Sequence, residues 1–283
     1  MMIKLSILKE KIKDNKVLFF ILMIALIFRI AGINHGFPLF LKIDEPTTVF
    51  TAFKFGSTLN PGRFDWPSFH FYFYGFFIVG LKAIILLFEK VGLTNNYLQS
   101  DVPYFLISRL VSVALSIATT YVIYLNSAKL FSKNIALISA LFFALLPIAV
   151  YEGHFFRPDI LLMLLSSVYI YQNIRIFIEN RHTSKEYLLL GIIMGLAVSS
   201  KYNAFLLAII SLMFWIVYYN KEIKFINCLK NFFISIIISI VTFIILNPFI
   251  IIDFEHFWST EPTVGILWQF ENLGKVESSD YVF

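Results

Sequence analysis

A single cysteine, Cys228, stands in 283 residues, so no internal disulfide staples this chain and its thiol content says nothing about redox compartment. Cys228 itself reads as a buried or interfacial thiol. Only 12 glycines and 9 prolines are present, which excludes a collagenous or low-complexity chain. Charged residues make up 14%, against about 25% in an average soluble domain, and this excludes a soluble globular enzyme. No glycine-rich phosphate loop and no dinucleotide fingerprint occurs. The histidines at 35, 70, 154, 182 and 256 show no metal-ligand spacing. A nucleotide-sugar donor is therefore disfavoured, and nucleic acid is not expected as a partner. What fills the chain is 59% hydrophobic residues, including 33 Phe and 14 Tyr, with a mean hydropathy of +0.79. The composition predicts an all-α, polytopic transmembrane helical bundle.

A membrane helix needs about 20 mostly apolar residues. Apolar runs cover 17–33, 69–88, 104–125, 135–151, 160–177, 187–199, 204–219 and 231–250. The first follows Lys4, Lys9, Lys11, Lys13 and Lys16 and has no small-residue cleavage signature after it, so it reads as an uncleaved anchor with a cytoplasmic N-terminus. If 69–88 lies in the outer interface without crossing, three short basic loops all become cytoplasmic. They carry Lys129 and Lys133; Arg175, Arg181 and Lys185; and Lys221, Lys224 and Lys230. If 69–88 crosses, those cations fall outside. The positive-inside rule thus predicts about seven spans and a long first outer loop over 34–103 with an interfacial helix at 69–88. The expected organisation is a basic cytoplasmic segment at 1–16, a transmembrane catalytic-type domain at 17–250 and an outer segment at 251–283.

That topology places several charges on one face. Asp44 and Glu45 follow the first span in Lys42-Ile43-Asp44-Glu45-Pro46, and Asp65 precedes Trp66-Pro67-Ser68. The segment Tyr151-Glu152-Gly153-His154-Phe155-Phe156-Arg157-Pro158-Asp159 lies between two apolar runs, with Pro158 placed to start a helix and Asp159 in its first turn. Arg157 offers a forked donor set suited to phosphate or to a carboxylate. Ser200-Lys201-Tyr202-Asn203 interrupts an apolar stretch, and an ammonium there must snorkel, pair or line a polar cavity. Arg29 and Arg109, inside spans, are expected to pair with the loop acids. Asn247-Pro248 reads as helix punctuation.

The order of these features resembles the polytopic glycosyltransferases that use lipid-linked sugars, the GT-C class. Within it the nearest likeness is to the protein mannosyltransferase-like group, family 39 and its bacterial and archaeal relatives, including aminoarabinose transferases. The resemblance rests on the Asp44-Glu45 pair, Ser108-Arg109-Leu110, Arg157-Pro158-Asp159, Gly191 to Gly195, and Ser200 to Asn203, and runs from about residue 17 to residue 255. It implies inverting transfer of a sugar from a polyprenyl-phosphate donor to a hydroxyl acceptor on a protein, lipid or glycan, at the outer face of the plasma membrane and among its lipids. It further implies that Asp44 is the general base, that Glu45 supports it, and that Asp159 orients substrate or tunes the base. Arg157 and Lys201 are the candidates for the donor phosphate, on charge more than on motif. Asp65, Tyr202 and His154 complete the expected substrate-binding set, although Trp66 and Ser68 depart from the common basic residue and double proline. A divalent cation, Mg or Mn, could bridge two carboxylates and the donor phosphate. Family members usually run longer, so the resemblance implies a chain truncated at its C-terminus. The competing readings are a transporter or flippase for a lipid-linked or anionic substrate, which would favour an internal repeat that is not found, and a non-catalytic assembly subunit.

Overall fold

A computed structural model describes residues 2–39, 44–55, 57–93, 95–218 and 225–271. Among these every regular element is helical: α1 Met2–Ile30, α2 Asp44–Lys54, α3 Ser68–Lys90, α4 Val102–Leu130, α5 Lys133–Leu145, α6 Pro147–His154, α7 Pro158–Phe177, α8 Ser184–Ser200, a 3-10 turn Tyr202–Leu206, α9 Leu207–Tyr218, α10 Phe225–Leu246, and the short α11 Phe249–Ile252, α12 Phe254–Phe257 and α13 Ile266–Glu271. Four described helices are long and apolar enough to cross a bilayer: Ser68–Lys90, Val102–Leu130, Pro158–Phe177 and Leu229–Leu246. The bent pair Lys133–Leu145 and Pro147–His154 makes a fifth if it is one span. The chain is an integral, multi-pass, all-α membrane protein. Lys42, Lys221 and Lys224 lie outside the described residues.

Proline sets the helix starts. Pro103, Pro147 and Pro158 each occupy the first turn of a helix, where a missing N–H costs nothing. Pro147 also bends α5 against α6 by 56°. In a straight helix Phe143 would receive the N–H of residue 147, which proline lacks. Arg29 supplies what is missing. It donates Nη1 to the Ala144 carbonyl at 2.9 Å, Nη2 to that of Phe143 at 3.4 Å, Nη1 to Ala25 of its own helix at 3.1 Å, and Nε to the Ser116 hydroxyl of α4. The pairing of Arg29 with a loop acid is not what the fold uses. Carbonyls released at a kink within the bundle need a donor, and this guanidinium is the donor that reaches them.

Helices α8 and α10 run side by side with almost no space between them. A Cβ on Gly195 would fall 2.5 Å from Thr242 Cβ, and one on Gly191 would strike the Ser235 carbonyl oxygen. Small residues permit this backbone approach where lipid supplies no hydrophobic drive between helices. The tip of the pair is fastened by Asn247, whose amide donates to Ser199 Oγ at 2.9 Å and to the Phe243 carbonyl at 2.7 Å. The same Asn247 accepts the N–H of Phe69 at 3.3 Å, which ties the start of α3 to the ends of α8 and α10. Further along α3, Lys82 lies 5.1 Å from the Phe53 ring, and Phe53 stands 4.9 Å from Tyr104 in the first turn of α4. Both stretches of α3 therefore meet the end of the bundle at which α4 and α7 begin and α8 and α10 finish.

Candidate active site

That end of the bundle carries the charges. In the first turn of α2, Glu45 is buried and fixed by Arg109 of α4. Arg109 Nε donates to Oε1 at 2.9 Å and Nη2 to Oε2 at 2.6 Å, while Nη1 serves the carbonyls of Ile33 at 2.7 Å and His35 at 2.8 Å. The guanidinium also lies 4.3 Å from the Phe37 ring. Burial pushes the Glu45 carboxyl above its usual value, and the Arg109 fork opposes the rise. The pair thus locks the loop after α1, the start of α2 and the upper part of α4 into one unit. The pairing expected for Arg109 is present.

Asp44, the preceding residue, remains half-exposed and faces the other way in chemistry. Its Oδ2 takes Arg157 Nη2 at 2.8 Å. Arg157 Nη1 reaches Glu152 Oε1 at 3.2 Å, and Lys201 Nζ reaches Asp159 Oδ1 at 2.7 Å. Asp44, Asp159 and both cations act electrostatically on Glu152, so the five charges form one group. Its cradle is built from helix ends. Arg157 sits in extended conformation just before Pro158 and Asp159 open α7, and Lys201 is extended at the break that ends α8. Four of these side chains are about one-third exposed (Asp44 36%, Arg157 33%, Asp159 32%, Lys201 37%), whereas Glu152 is 10% exposed. The site can meet a ligand with two cations, each already held by a carboxylate.

The other expected residues are placed nearby with different tasks. Asp65 is buried in a fork with Arg63, whose Nε donates to Oδ1 at 2.8 Å. Tyr202 donates its hydroxyl to the Phe64 carbonyl at 2.8 Å, joining the break after α8 to the segment between α2 and α3. His154 spans Val150 and Ala31, with a ring nitrogen 2.8 Å from each carbonyl, and lines a 410 Å³ groove with His35, Arg109 and Tyr151. Sequence reasoning singled out Asp159 ahead of Glu152, yet Glu152 is the acid that shares Arg157 with Asp44. The signal was available: an acid five residues before Arg157, across the short turn that leads from α6 to Pro158. Thr48 and His70, which meet at 3.0 Å and join α2 to α3 one turn beyond Asp44, carried no such signal. Among the described residues no group of three or more His, Cys, Asp or Glu side chains is arranged to hold a metal ion. Asp44 and Asp159 each face a side-chain cation instead, so these residues do not assemble a cage for a divalent ion.

The family model for dolichyl-phosphate-mannose-protein mannosyltransferases matches residues 105–252, more than half of the chain. The chain belongs to this family. No curated protein and no solved structure matches it significantly. The matched stretch holds Arg109, Glu152, Arg157, Asp159 and Lys201, while Asp44 and Glu45 lie before it. The contacts through Arg109 and Arg157 bring this earlier loop onto the matched region. The protein is accordingly a membrane glycosyltransferase of the GT-C type.

Proposed function

We propose that the protein transfers a sugar from a polyprenyl-phosphate donor to an acceptor hydroxyl at the outer face of the plasma membrane, with inversion at the anomeric carbon. The observation that carries this reading is the meeting of Asp44 with Arg157: a half-exposed carboxylate from one outer loop stands against a phosphate-type cation from another. In the reaction the bond between the anomeric carbon and the phosphate oxygen breaks, and its electron pair leaves with the lipid phosphate. The acceptor oxygen forms the new bond, and its proton passes to Asp44. Charge grows on the leaving phosphate as the bond breaks, so Arg157 and Lys201 stabilise the transition state more than the ground state. A positioned base contributes about 10²–10⁴ in rate. Glu45 acts through Arg109 to hold Asp44 in place, and Asp159 holds Lys201.

The same reading puts the N-terminus in the cytoplasm and keeps α3 on the outer side. Two observations support that placement of α3: its start is bonded to Asn247 at the end of α10, and Lys82, about two-thirds of the way along it, lies beside Phe53, against the first turn of α4. A helix that crossed would carry its two ends to opposite faces. The sugar acceptor can be a protein, lipid or glycan hydroxyl. Transfer from a radiolabelled short-chain prenyl-phosphate sugar by membranes bearing the protein is the test. Asp44→Asn is expected to abolish transfer while the protein inserts and purifies as the wild type does; a variant that keeps its activity sinks the assignment.

A further inference from the structure

Among the described residues, the site's five charges are three carboxylates, Asp44, Glu152 and Asp159, and two cations, Arg157 and Lys201. Such a group is already one negative charge in excess, and a phosphodiester adds another. An anionic donor can settle there only by taking a cation from a carboxylate. The three acids are not equally free to give one up. Asp159 is in the first turn of α7 and bonded to Lys201 at 2.7 Å. Glu152 is 10% exposed, against 36% for Asp44. Arg157 itself is forked, with Nη2 on Asp44 at 2.8 Å and Nη1 on Glu152 at the longer distance of 3.2 Å. Glu152 Oε2 is buried without a hydrogen-bond donor. An orphaned carboxylate oxygen beside a guanidinium has an unused place for one more N–H.

From this we propose that Arg157 exchanges its Asp44 contact for the donor phosphate, and that Glu152 is the positioning residue that keeps the guanidinium in place while it does so. The inference rests on the donor reading above and adds an order to it. Before the donor arrives, Asp44 Oδ2 is occupied by Arg157 Nη2 and is not open to an acceptor hydroxyl. When phosphate takes the Nη2 edge, Asp44 is released beside the anomeric centre, and its Oδ2 is open to accept the hydrogen bond of the acceptor hydroxyl. Glu152 meanwhile can accept a second N–H through Oε2, which holds Arg157 at the corner between α6 and α7. The arrangement readies the base only when there is a donor to use, so the acceptor hydroxyl is activated second.

The purified chain in detergent, titrated calorimetrically with a short-chain prenyl monophosphate, tests the exchange. Removal of a competing carboxylate predicts that Asp44→Asn, although inactive in transfer, binds the probe about three- to tenfold more tightly than the wild type, the scale of a half-exposed charge pair. Asp44→Ala should do the same, which separates the charge effect from any local misfolding of one variant. Glu152→Gln should weaken binding by a similar factor in both the wild-type and the Asp44→Asn backgrounds, with Glu152→Asp restoring part of it. In transfer assays Glu152→Gln should raise the donor KM and leave kcat at saturating donor within about twofold, a split that general loss of fold does not produce. If Arg157→Gln abolishes probe binding but the Asp44 variants bind no tighter, the exchange is overturned and the phosphate assignment stands. If binding is indifferent to Arg157→Gln, the donor reading and the exchange fall together.

Discussion

Replacing Glu45 by glutamine keeps the shape of the side chain and deletes one charge from a pair that is almost completely enclosed, with side chains 1% and 2% exposed. Arg109 then keeps its bonds to the Ile33 and His35 carbonyls but loses the carboxylate that accepted Nε at 2.9 Å and Nη2 at 2.6 Å. Breaking a buried pair from one side typically costs about 3–5 kcal/mol, chiefly because the remaining charge stays desolvated and unpaired. Glu45→Gln should therefore lower the thermal unfolding midpoint in detergent by many degrees. Arg109→Gln alone should do the same, since it leaves a buried carboxylate. The double variant Glu45→Gln/Arg109→Gln removes both charges and should recover a large part of the loss, giving a coupling of roughly 2–3 kcal/mol in a double-mutant cycle. Transfer activity should not recover in the double variant, because α2 is no longer pinned and Asp44 loses its position. Losses that simply add would show that the two side chains stabilise the fold independently. A single variant as stable as the wild type would show that the pair is not enclosed at all.

Arg29→Leu should destabilise by about 2–4 kcal/mol through the carbonyls of Phe143 and Ala144 that lose their donor, and Pro147→Ala in the same chain should recover part of this by restoring an N–H to Phe143, measured as thermal midpoints in detergent. Gly195→Leu should push α10 from α8, since Thr242 already stands where the new side chain would lie, and should abolish assembly of a monodisperse protein on size exclusion; an unaffected profile would contradict the close packing. His256 hydrogen-bonds Asp253 Oδ1 at 2.6 Å, which holds its imidazole above the usual value, and Asp253 also accepts from Asn60 at 2.6 Å. A raised histidine contributes stability fully below its unfolded value, and this is lost as pH rises through the folded one. Protease resistance of the 249–258 segment should accordingly fall as pH rises from slightly acid to above neutral, and His256→Ala should flatten that dependence.

The membrane elements were legible in the sequence because hydropathy and proline act locally: the runs at 104–125, 160–177 and 231–250 became α4, α7 and α10 with boundaries moved by a few residues, and Pro158 opened its helix as its missing N–H requires. The run at 69–88 shows the limit of the same signal. As α3 it is apolar and long enough to span, so no property of its own sequence decides whether it crosses. That depends on what it is fastened to, and its contacts include Asn247, far along the chain, at its start and Phe53 of the preceding helix at Lys82. The site behaved in the same way. In a chain with 14% charged residues, Asp44, Arg157, Asp159 and Lys201 stand out and have few places to go. Which acid takes which cation is a tertiary fact. Arg109 has a carboxylate within reach and uses it, whereas Arg29 stands beside a proline kink whose orphaned carbonyls are better matched to it than any acid. A cation inside a span therefore predicts a need for acceptors, not for an anion. For Arg29 those acceptors are the carbonyls three and four positions before Pro147.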